Sequence, residues 1–69
     1  MKISARNILA GKVTALKKGP ISALVTLEIA PQVEITASIT AEAAKELKLR
    51  KGGAAYAVIK ASSVLVGVE

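Results

Sequence analysis

Ser4-Ala5-Arg6-Asn7, near the start of the chain, is the first stretch whose residue types suggest chemistry. Serine brings an O–H donor, arginine brings a rigid fork of N–H donors, and neither the guanidinium nor a backbone N–H accepts. Donors gathered two residues apart suit a ligand that only accepts hydrogen bonds, which is an oxyanion. Further donors lie along the chain: Thr40, where the pattern turns helical, and Lys60 followed by Ala61-Ser62-Ser63. A helix start adds free N–H groups and the positive end of a dipole. Taken singly, each has a plainer reading. Ser-x-Arg at a strand start is usually a solvated edge, and a lysine closing a strand usually snorkels to water.

The elements that must position these residues follow from periodicity. Leu9, Gly11, Val13 and Ala15 alternate with Ile8, Ala10, Lys12 and Thr14, which reads as a long strand with both faces partly apolar, buried on both sides for part of its length. Lys17-Lys18-Gly19-Pro20 is a turn. Ile21, Ala23, Val25, Leu27 and Ile29 then share one face of a second strand. After Ala30-Pro31-Gln32, a third strand places Val33, Ile35, Ala37 and Ile39 against Glu34, Thr36, Ser38 and Thr40. From Thr40 the period becomes helical, with Thr40 as N-cap and Glu42 in the first turn, and with Ala44 and Leu47 on one face. Alternation resumes from Ala54 to Lys60 and again through Val64, Val66 and Val68. The prediction is an all-β fold, a five-stranded OB-like barrel with a short helix between strands three and four.

Composition bounds the function. A 69-residue chain reads as a single domain over 1–69, with no His, no Cys and one aromatic, Tyr56. That removes thiolate sites, disulfides and the commonest metal ligand. A nucleophile would have to be Ser, Thr or Lys, and no paired carboxylates suggest an acid and base, so an enzyme is not expected. Nucleic-acid binding is disfavoured, because single-strand sites stack bases on aromatic side chains. A net charge of +5 favours anionic partners. No apolar run reaches the length of a membrane span, and no signal-peptide core forms before Arg6, which predicts a cytoplasmic protein. With 52% hydrophobic residues and no other staple, the apolar surplus predicts a homo-oligomer.

Ser4-Ala5-Arg6-Asn7 with Leu9-x-Gly11-x-Val13, then Ile39-Thr40, Leu47-x-Leu49, Gly52 and Lys60-Ala61-Ser62, resembles the Mop or molbindin family, small TOBE-type domains that bind molybdate and tungstate. The resemblance runs from Ile3 to Val66. It implies OB-like barrels that pair by exchanging strands and assemble as a trimer of dimers, a hexamer, with oxyanions between subunits. It implies that Ser4, Arg6 and Lys60 donate to molybdate or tungstate, helped by the N–H groups of Ala5 and Ala61 and by Ser62. Thr40 matches the threonine that opens the family's helix, while Ala43 stands where a serine is usual. The turn from Gly19 to Ser22 is the candidate for a further anion site at the threefold axis. The function implied is storage or buffering of the oxyanion, with no covalent cofactor and no metal bound directly by side chains. The alternative is a structural or regulatory OB-like oligomer, or a weak nucleic-acid binder, whose anion binding is incidental.

Overall fold

Alternating apolar and polar residues build three consecutive strands, β1 (Asn7–Lys18), β2 (Ser22–Ala30) and β3 (Val33–Thr40). Helix α1 (Ala41–Glu46) and strand β4 (Ala54–Ile59) follow. The structure, a computed structural model, describes residues 1–69. All pairings are antiparallel, in the order β3-β2-β1-β4.

β1 is shared between two partners. Its first half pairs with β4, from Asn7 opposite Ile59 to Lys12 opposite Ala54. Its second half pairs with β2, with a register shift between Val13 and Ala15. An extra residue in one strand bends it and increases its twist, and here the bend carries the sheet into a curl. Thr14, at the shift, donates from Oγ1 to the Thr26 carbonyl at 3.4 Å and to Glu34 Oε2 at 3.3 Å. Val13 is tied to the turn before β4: its N–H donates to the Gly53 carbonyl at 2.8 Å, and its carbonyl accepts from Gly52 at 2.7 Å. Gly11 lets β2 approach, since a Cβ there would lie 2.7 Å from the Glu28 carbonyl oxygen.

The core is small. Val13, Val25, Leu27 and Ala57 are buried, with Leu16, Ile29, Ile35, Ile39, Leu49 and Ala55 packed around them. α1 contributes Ala44, and Thr40 caps it by accepting from the Ala43 N–H at 3.0 Å. The helix ends with Leu49 N–H on the Ala44 carbonyl and Lys48 N–H on the Lys45 carbonyl. That pair of bonds is the Schellman arrangement, which wants a left-handed residue next to the cap. Lys48 takes the position at φ 53°.

Three expectations need correction. The sheet has four strands, not five: Val64, Val66 and Val68 alternate as a strand should, yet residues 64–69 pair with nothing and Val66 is 91% exposed. Alternation reports which way side chains point, whereas a strand also needs a hydrogen-bonding edge. Nor is β1 buried on both sides, since Ile8, Leu9 and Ala10 are exposed and only Val13 is fully covered. Leu47, expected beside Ala44, is the C-cap and stays exposed at the rim of the curl.

The total accessible surface is 5733 Å², against roughly 4,100 Å² for a folded monomer of this mass. The radius of gyration, 12.7 Å, exceeds the roughly 11 Å typical of the length.

Lys48→Gly removes the left-handed strain, worth about 1 kcal/mol before the added freedom of the unfolded chain is subtracted. The melting temperature at fixed protein concentration should rise by a few degrees; a lower one would mean the lysine side chain stabilises this end. Gly11→Ala should cost about 1–3 kcal/mol by forcing β1 off β2. An unchanged urea midpoint would show that the strands are farther apart in solution.

Candidate oxyanion groove

Pairing of Asn7 with Ile59 brings the chain's two ends side by side. Asn7 Nδ2 donates to the Ile59 carbonyl at 3.2 Å across a separation of 52 residues, so the segment before β1 and the segment after β4 leave the sheet together. Between them lies a groove of about 490 Å³ lined by Ile3, Ser4, Ala5, Arg6, Val58, Lys60, Ala61 and Ser62. Six of the seven residues expected to bind anion are therefore gathered in one place.

The groove is rich in donors and has no acid. Arg6 and Lys60 are exposed and take part in none of the chain's side-chain hydrogen bonds. No lining residue is Asp or Glu. After Lys60 the backbone makes a single 3-10 turn over Ala61–Ser63, in which Ser63 N–H donates to the Lys60 carbonyl at 2.8 Å and Val64 N–H to that of Ala61 at 3.2 Å. The opening N–H groups of such a turn, those of Ala61 and Ser62, have no partner within it. Two cations, two hydroxyls and the residues that carry these amides line a common opening with the apolar Ile3 and Val58. Such a set can hold a tetrahedral dianion through charge-assisted hydrogen bonds.

Thr40 is the exception. It ends β3 at the far edge of the sheet, opposite Ser22, and its Oγ1 already accepts from Ala43. The helix start has little else to offer, because the Ala41 N–H donates to the Ile21 carbonyl at 2.8 Å. Within one chain, Thr40 and α1 do not line the groove.

Asn7 is the residue whose part sequence reasoning missed. It appears in the opening motif, but only the strand register reveals that its amide locks the two ends together. Of the groove's apolar walls, Val58 was read as an ordinary strand position and Ile3 was given no role. A polar side chain opening an apolar strand was the available signal for Asn7.

A second depression has a different character. Met1, Val25, Leu27, Ala37, Ile39, Leu47, Leu49, Ala54, Ala55, Tyr56 and Val58 surround about 340 Å³ between the free edges of β3 and β4, and every one of them is hydrophobic. It is the open mouth of the curled sheet. No helix is long and apolar enough to cross a membrane.

Comparison with known proteins places these features in a family. The TOBE domain model matches residues 3–66. A probable molybdenum-pterin-binding protein of Haemophilus influenzae is 48% identical over 69 residues, covering all of both chains. Among solved structures, MopII from Clostridium pasteurianum superposes with a TM-score of 0.90 at 43% identity, over 97% of this chain and all of that one. The cytoplasmic molybdate-binding protein ModG, solved with molybdate bound, gives 0.93 at 48% identity, and this chain spans 49% of its length. With the family model covering nearly every residue and the fold and sequence of Mop proteins repeated end to end, the chain belongs to the TOBE domain family, in its Mop-type branch.

Proposed function

We propose that the protein binds molybdate or tungstate in the groove between residues 4–6 and 60–62, and stores or buffers the anion in the cytoplasm. The observation that carries this reading is the meeting of Ser4, Arg6, Lys60, Ala61 and Ser62 in a groove without a carboxylate. Kinship with molybdate-binding proteins supports it. In this reading the role is binding rather than catalysis, in keeping with relatives whose names give binding.

The donor set also favours a particular anion. Molybdate, tungstate and sulfate accept at every oxygen near neutral pH, whereas phosphate is partly protonated and must also donate. Arg6, Lys60 and backbone N–H groups cannot accept that proton; phosphate must either turn a serine hydroxyl of the groove, Ser4 or Ser62, into an acceptor or leave the proton unpaired at about 1–3 kcal/mol. Equilibrium dialysis tests the function directly. Uptake of molybdate should be saturable and stoichiometric, and phosphate at equal concentration should not displace it. Weak, non-saturating uptake would favour a structural or regulatory oligomer with incidental anion binding.

The protein acts as a homo-oligomer in this reading, a hexamer built as a trimer of dimers. The surface excess of roughly 1,600 Å² over a folded monomer, the apolar mouth and the unpaired residues 64–69 support association. Obligate interfaces bury such areas and resemble a core cut in half. Thr40 joins the anion site in this assembly from a second copy, which its distance from the groove of its own chain requires.

Arg6→Ala and Lys60→Ala should each weaken molybdate binding by about ten- to a hundredfold without unfolding the protein, as loss of a charged hydrogen bond predicts. Titration calorimetry giving wild-type affinity for both would move the site elsewhere. Sedimentation at micromolar concentration should show several subunits; a well-folded monomer would refute the assembly.

A further inference from the structure

Among the side-chain hydrogen bonds of the chain, only that of Asn7 reaches either donor segment. Asn7 does not line the groove, so it is not placed to touch an anion. It stands between the groove and the sheet. Asn7 and Ile59 are half-buried and form the last pair of the β1–β4 ladder, while Arg6 and Lys60, one step further out, are exposed.

The bond falls at a sensitive place. The Ile59 carbonyl and the Lys60 N–H belong to one planar peptide group, and Lys60 opens the 3-10 turn at φ −62° and ψ 132°. Holding that carbonyl therefore holds the plane from which the Lys60 side chain and the turn project. The turn has no side-chain cap and no buried residue, so it has no anchor of its own. On the other segment, the same side chain belongs to the residue that follows Arg6.

Charge acts in the opposite sense. Continued by one step, the register of β1 and β4 sets Arg6 opposite Lys60, and like charges directly opposite destabilise a strand pair. No carboxylate lines the groove to offset them. In the empty protein the two cations push the donor segments apart just where the ladder stops.

We propose that Asn7 is a positioning residue for the anion groove. Its side-chain amide holds the two donor segments together while the groove is empty, so that an arriving anion need not draw two repelling cations into place. This rests on the proposed function above. Donors already ordered lose less on binding than donors that must be ordered by the ligand.

Asn7→Leu keeps the approximate volume and removes the donor, and Asn7→Ala removes both. In titration calorimetry each should raise the molybdate dissociation constant by about three- to tenfold, as loss of a neutral hydrogen bond predicts. Wild-type affinity in Asn7→Leu overturns the proposal, since volume alone would then suffice. A double-mutant cycle separates positioning from general loosening of the fold. On a Lys60→Ala background, Asn7→Leu should weaken binding by less than about twofold, because the charge it positions is gone. The full loss on that background overturns the proposal. The unaltered protein supplies a test that needs no variant. Asn7 and Gln32 carry the chain's side-chain amides, and Gln32 is exposed. In NMR spectra of the empty protein, the Asn7 amide should exchange with water more slowly than that of Gln32. Equal rates overturn the clasp and leave molybdate binding standing, whereas a wild type that takes up no molybdate overturns both.

Discussion

The double pairing of β1 is the constraint on which the rest of this structure depends. One strand of twelve residues serves β4 with its first half and β2 with its second. The two pairings point in different directions, so the strand must bend where they meet. The register shift at Thr14, the missing side chain at Gly11 and the clasp of Val13 by Gly52 and Gly53 all lie at that bend. A flat β1 would leave β3 and β4 as distant edges. The curl turns them toward one another and forms the apolar mouth. It also leaves the first residues of β1 and the last of β4 side by side, where the donors gather.

Much of this was legible in the residues. Period-two alternation located β2 and β3, and Thr40 marked the change to a helix because a hydroxyl before a helical period is an N-cap. The short connection expected at Ala30-Pro31-Gln32 is there one residue tighter, since Ala30 still pairs with Val33 and the loop is Pro31-Gln32, with Gln32 at a positive φ of 64° where glycine is easier. The nearness of the candidate donors was legible too: six of the seven stand in two short runs, and an antiparallel pairing of the strands that adjoin those runs makes them neighbours.

What could not be read has a common cause. Val64 to Val68 look like any other strand, and alternation cannot say whether an edge within the same chain will receive them. The exposure of Ile8, Leu9, Tyr56 and Val58 is invisible in a pattern that only reports polarity. Each of these residues belongs to a surface that the chain leaves open; the apolar surplus told how much such surface to expect, and not which residues would form it. Thr40 fits the same account, because it was grouped with Ser4 and Lys60 by residue type while the sheet order sets it at the other edge.

The closeness of the two chain ends has a mechanical consequence. Residues 4–6 and 60–62 are joined by one short ladder, the Asn7 amide and little buried surface, so this is where local unfolding should begin. An anion held by donors from both segments, as the proposed function has it, would be a removable cross-link between the ends of the polypeptide. Ligand at a hundred times its dissociation constant adds about 2.7 kcal/mol to the folded state, a large share of what so small a domain has. A cell holding such a protein would therefore keep its filled copies longer than its empty ones, and the amount of carrier would follow the supply of cargo without any change in synthesis.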